Sequence, residues 1–288
     1  MFEQQQAILR RSELVTIFKR ALAVMPSVRH LRFKSSWNSR RSISEKGGRN
    51  CLRQFCLEPK VDNDIAPPQL VDFFEVWSMS GRPLKSFEGS SRAMLLAAMQ
   101  KPLTPSSMAI FKHTREISIH YGSALMEVCH ALHNIEAEGI QSGYVSALLS
   151  RASSVERICL SGAINLFLAD MPVTLNSVLG NTHWGNLRTL CLATVEIEFQ
   201  ELVGLCERQQ DTLKVLVIQR AGLFGGTWAG ALPVIRMLKQ LRHVLLTFLW
   251  HGKDTTDCVV DNDSEDAVRR YILEGGTNPL EPPLPPSL

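Results

Sequence analysis

Five residues able to hold a metal or move a proton fall within one short stretch of the chain: His113, His120, Cys129, His130 and His133. Cys129 and His133 are four residues apart, so on a helix they would share one face, the spacing of a zinc-ligand pair. A structural zinc takes four such ligands, and neither a second compact pair nor a flanking carboxylate set accompanies them. They read as boundary residues of amphipathic helices, with a metal-dependent or hydrolytic enzyme centred on residues 113–133 as the alternative. Gly222, Gly225, Gly226 and Gly230 lack the Lys followed by Ser or Thr that a phosphate-cradling loop requires, and they read as turn glycines. Neither His-Glu-x-x-His nor Gly-x-Ser-x-Gly occurs. The sequence therefore assigns no catalytic, cofactor-binding or metal residue, and the expectation is a protein that is not an enzyme and carries no cofactor.

Charge supplies a second candidate chemistry. Residues 1–60 carry 13 Lys and Arg against 4 Glu, although the whole chain has a formal net charge of only +3. Arg40, Arg41, Lys46, Arg49 and Arg53, with Trp37, would suit an acidic partner or nucleic acid through charge and stacking. One aromatic residue and no folded motif support that use, so the stretch 35–50 reads as an irregular solvated loop and nucleic acid is not an expected partner. Seven cysteines, spread from Cys51 to Cys258 without tight spacing, read as reduced thiols rather than a disulfide framework. No apolar run reaches the roughly 18 residues of a membrane span, and the start lacks the basic and apolar segments of a secretory signal. The expected setting is intracellular, cytoplasmic or nuclear, without a membrane partner.

The elements that must position any site announce themselves through a recurring apolar phrase, L-x-x-L-x-L. Its clearest copies begin at Val155, Leu187, Leu213 and Leu241, at steps of 32, 26 and 28 residues. Looser copies begin at Val28, Leu52 and Thr114, with room for a degenerate one around Leu84 and Phe87. Helical periodicity precedes several copies, over Glu13 to Met25, Tyr144 to Ser150, Phe199 to Gln209 and Trp228 to Lys239. Thr227 can cap the last of these, and Pro233 should kink it by removing a backbone donor. Helix and strand alternating at such a period predict stacked repeats. The expected fold is an α/β leucine-rich-repeat-like solenoid over residues 1–250, with parallel strands on the concave face and helices on the convex face. An acidic loop and short terminal helix follow over 251–277, then an extended Pro-rich tail over 278–288.

Side chains on a strand alternate, so the apolar positions of each phrase point inward and their neighbours outward. That rule selects His30, Arg32 and Lys34; Glu116, Ser118 and His120; Arg157, Cys159 and Ser161; Thr189, Cys191 and Ala193; Val215, Val217 and Gln219; and His243, Leu245 and Thr247. The candidate partner-binding residues among them are His30, Arg32, Lys34, Glu116, His120, Arg157, Val215, Val217, Gln219, His243 and Leu245. The face would grade from cationic to apolar, and its apolar part would be covered by a partner or by the protein's own tail.

Asn186-Leu187-Arg188-Thr189-Leu190, Glu201-Leu202 to Arg208, Thr212-Leu213-Lys214-Val215-Leu216 and Gly226-Thr227-Trp228 follow in the order seen in the leucine-rich-repeat regions of fungal F-box-type proteins, which this block resembles. The segment Tyr271 to Leu280 resembles their closing signature. The resemblance implies a scaffold that chooses the substrate of a ubiquitin ligase, with an F-box docking on the ligase's linker subunit. The Leu-Pro opening of an F-box does not occur before Val28, so that subunit is an expected partner only if an F-box lies upstream. The expected function is a non-catalytic protein-interaction scaffold with an unidentified protein client. A truncated remnant without independent activity is the remaining alternative.

Overall fold

The computed structural model describes residues 11–33, 55–57, 69–90, 104–121, 138–162, 174–252, 258–261 and 263–281. The chain packs as two compact units, Met1–His120 with Arg151–Val155, and Tyr121–Ser150 with Glu156–Leu288.

In the first unit, helix α1 (Arg11–Val24) precedes strands β1 (His30–Phe33) and β2 (Phe55–Leu57), helix α2 (Gln69–Met79), strand β3 (Ser86–Ser90), the short helix α3 (Pro105–Met108) and strand β4 (Glu116–Tyr121). The strands are parallel and run β2, β1, β3, β4 across the sheet. Helix α2 is apolar nearly all round, and Leu70, Val71, Phe73, Phe74, Val76 and Trp77 are all buried, as expected of a helix enclosed on several sides. Phe74, Phe87 and Phe111 meet edge to face with centroids 5.2–5.9 Å apart, the arrangement aromatic quadrupoles favour. β3 lies where a degenerate phrase was expected, with Leu84 and Phe87 buried.

The second unit holds strands β5 (Arg157–Gly162), β6 (Thr189–Glu198), β7 (Val215–Phe224), β8 (His243–His251) and β9 (Cys258–Val260). Its helices are most of α4 (Tyr144–Arg151), then α5 (Leu175–Leu179), α6 (Phe199–Gln209), α7 (Trp228–Arg236) and α8 (Glu265–Glu274). The phrases align in register: Ile158, Leu190, Leu216 and Val244 form one row, and Leu160, Leu192, Ile218 and Leu246 another. All eight are buried. The carbonyls of Glu156, Arg188 and Lys214 each accept two successive amides from the strand that follows, so every copy is stitched to the next in the same way.

Each of the three long strands bends at its sixth residue. Thr194 (φ 61°), Arg220 (φ 53°) and Phe248 (φ 54°) all enter the left-handed region, at about 1–2 kcal/mol each for a residue with a Cβ. Flanking pairs stay matched, Ala193 with Gln219 and Thr247, then Val195 with Ala221 and Leu249, so the extra residue is inserted in all three strands at one level. The inward phase consequently switches, from Leu190 and Leu192 to Val195 and Ile197 in β6. This is the effect of a β-bulge, repeated side by side.

Pro233 sits inside α7, whose N-cap is Thr227 with its hydroxyl accepting the Gly230 amide at 3.1 Å. Proline supplies no amide to the carbonyl of Ala229, four residues earlier. Asn278, buried beyond the end of α8, fills that role: its Nδ2 donates to the Ala229 carbonyl at 2.8 Å. The same side chain accepts the Leu280 amide through Oδ1 at 3.1 Å. The Arg236 guanidinium lies 5.5 Å from the centre of the Tyr271 ring and ties α7 to α8 itself.

The leucine-rich-repeat-like solenoid expected from the periodicity does not form: the sheet is mixed, though largely parallel, and it is not curled as a horseshoe is. A solenoid adds every strand on the same edge in chain order and in the same direction. Here β1 lies between β2 and β3, and β9 runs antiparallel to β8. Horseshoe curvature comes from equal helices, about 8–10 Å apart, backing strands about 4.8 Å apart. The five-residue α5 beside the eleven-residue α6 gives no such uniform backing. The acidic stretch after β8 contains β9, and α8 covers Glu265–Glu274 where a helix around Ala267 to Leu273 was expected. Residues 278–281 form a turn, closed by the Glu281 amide on the Asn278 carbonyl, rather than the start of an extended tail.

Candidate functional site

The outward rows of β5 to β8 form the best-defined candidate surface. Arg157, Thr189, Val215 and His243 make one row; Cys159, Cys191, Val217 and Leu245 the next; Ser161, Ala193, Gln219 and Thr247 the third. Arg157 and His243 are exposed, Val215, Val217, Gln219 and Leu245 are half-buried, and Thr247 is buried. Helices α5 and α6 contact β6, and α7 and α8 contact β8. Arg157 turns toward its own strand, and its Nε donates to the Cys159 sulfur at 3.4 Å. The Cys191 thiol is pushed well above the ordinary thiol range, first by its hydrogen bond with Cys159, then by burial and by the charge Cys159 carries when ionised, with Arg157 opposing. Cys206, on α6, is pushed up to about 12, chiefly by burial.

In the first unit, His30 and Glu116 are exposed and lie in one row with Ser86 between them. His30 Nδ1 meets the Ser86 hydroxyl at 2.5 Å. Arg32 pairs with Glu88 at 2.6 Å, and His120 Nε2 lies 3.5 Å from the same carboxylate oxygen. Glu88 thus joins two residues that the outward-facing rule selected, although the rule did not select Glu88 itself. The degenerate phrase at β3 hid the strand's register, and with it the sign of the charge between Arg32 and His120. Lys34 and the basic loop 35–50 lie outside the described residues.

Of the histidine and cysteine group, His113 ends a turn of 3-10 helix and His120 lies on β4 beside Glu88, while Cys129, His130 and His133 lie outside the described residues. Among the described residues no group of three or more His, Cys, Asp or Glu is arranged to hold a metal, and no helix is long and apolar enough to cross a membrane. Between α5 and α6, a cavity of about 210 Å³ is lined by Leu175, Asn176, Gly180, Glu201 and Arg208. That is below the roughly 300–1,000 Å³ of typical organic ligand pockets. The chain matches no protein-family model and no curated protein. Neither comparison supports the resemblance of residues 186–250 and 271–280 to F-box-type proteins.

Proposed function

We propose that this chain is a non-catalytic protein-interaction scaffold whose client docks on the outward face of β5 to β8. One observation carries the reading: Val215, Val217 and Leu245 are half-buried and adjacent, on strands paired in register, with Gln219 and His243 beside them and Arg157 further along the row of Val215. An apolar centre with a polar rim is the make-up of a protein interface. A rigid ladder also spares a partner the entropy of ordering the surface it meets. On the residue resemblance, the client is the substrate of a ubiquitin-ligase adaptor, and the ligase's linker subunit is a partner only if an F-box lies upstream.

Photo-cross-linking residues placed at Val217 and, as a control, at exposed Arg270 on α8 test the docking face in native cells. The expected result is a discrete adduct at position 217 that Leu245→Lys weakens at least about tenfold, equivalent to some 1.4 kcal/mol. Equal labelling at both positions overturns the docking face. Capture of a cullin-type ligase by an upstream-extended chain, but not by residues 1–288, is the result expected of an adaptor. Capture by neither removes that part of the reading while leaving the docking face standing.

A further inference from the structure

Cys159 and Cys191 are direct partners on adjacent parallel strands, both half-buried on the outward face, and neither is in a disulfide. Side chains at matched positions of neighbouring strands point the same way, and strands about 4.8 Å apart fall within the 4.4–6.8 Å between Cα atoms that a disulfide spans. The two thiols are not equivalent. The Arg157 guanidinium donates to the sulfur of Cys159, and a positive donor on sulfur favours the thiolate there. We propose that Cys159 and Cys191 form a redox-active dithiol, with Cys159 the attacking thiolate and Cys191 the resolving thiol, oxidised by a low-molecular-weight disulfide. The displaced acidity of Cys191 is consistent with this order, because a thiol hydrogen-bonded to its neighbour gives up its proton second.

The steps balance. The Cys159 thiolate attacks one sulfur of the small disulfide, the S–S bond breaks, and the first small thiolate leaves and takes up a proton. Cys191 then loses its proton and attacks the Cys159 sulfur, expelling the second small thiolate. The protein dithiol loses two electrons and two protons, and the small disulfide gains both as two thiols. The inference rests on the thiols and Arg157 and stands whether or not a client docks on the same face.

The test uses the full chain and glutathione disulfide. Trypsin places Cys159 in the peptide 158–188 and Cys191 in 189–208, together with Cys206, and fragment spectra distinguish the last two. The expected result is a loss of two hydrogens from the intact mass, a cross-link between Cys159 and Cys191, and reopening when reduced glutathione replaces the disulfide. Cys191→Ser should stop the reaction at a glutathione adduct on Cys159. Adding Arg157→Gln in that background should slow adduct formation, because the Cys159 sulfur loses its cationic donor. A link to any other cysteine, absence of an adduct on Cys159 in Cys191→Ser, or an Arg157→Gln rate equal to that of its parent overturns the proposal.

Discussion

Replacing Asn278 by Ala should destabilise the second unit through an atom the substitution never touches, the carbonyl of Ala229. Pro233 cannot donate to that oxygen, and Asn278 Nδ2 does so from 2.8 Å. Asn278 is only 5% exposed, so water cannot readily replace it. The hydrogen bond is part-buried, so the about 1–3 kcal/mol of an orphaned buried acceptor is an upper bound, and at about 2–4 °C per kcal/mol for a unit of this size the melting temperature falls by at most roughly 12 °C. The decisive assay is a double-mutant cycle with Pro233→Ala, followed by chemical denaturation. Alanine at 233 supplies the missing helical amide to Ala229, so Asn278→Ala should cost about 1 kcal/mol less in that background than in the parent. Asn278→Asp, which when ionised presents an acceptor to an acceptor beside Glu281, should be worse than Asn278→Ala at neutral pH and recover as the carboxylate protonates. Equal costs of Asn278→Ala in both backgrounds, within the roughly 0.3–0.5 kcal/mol expected of independent sites, would refute the reasoning.

Leu190→Ala, at a fully buried position in the shared row, should cost about 2–5 kcal/mol in denaturation experiments, whereas Gln219→Ala on the outward row should stay near 0.5 kcal/mol. Gly222→Ala would bring a methyl group to 2.4 Å from the Gly252 carbonyl oxygen and 2.7 Å from Trp250 Nε1. Because the nearer contact is backbone, β7 and β8 must separate locally, and a loss of about 1–3 kcal/mol with faster amide exchange at Gly252 is expected. The Asp261 carboxylate accepts the amides of Asp263 and Ser264 and the Ser264 hydroxyl ahead of α8, and the Ser264 hydroxyl bond leads in holding its pKa below the ordinary value. Since the folded value is the lower one, its stabilisation is present above the unfolded value of about 3.9 and lost as pH falls through the folded value. The melting difference between the parent and Asp261→Ala should therefore be constant at neutral pH and close in acid.

Position and burial of the repeated strands were legible because they depend on local alternation. Leu187, Leu190 and Leu192, with their counterparts at Leu213, Leu216 and Ile218, are written in single phrases, and strands so patterned can bury one face only by lying side by side. The outward neighbours Cys159, Cys191, Val217 and Leu245 follow from the same period of two. Pro233 likewise announced a carbonyl without its helical donor. What answers it, Asn278, is 49 residues further along the chain and no local rule connects the two.

Tertiary structure alone decided how the strands are ordered and how the sheet ends. The three-residue β2 takes the outer side of β1, and β9 reverses direction. The aligned left-handed residues Thr194, Arg220 and Phe248 share no residue type that would reveal them. Each is unfavourable alone and is held by register with its neighbours. Repetition in the sequence thus determined which side chains turn inward, while the shape built from those repeats was settled by contacts between elements far apart in the chain.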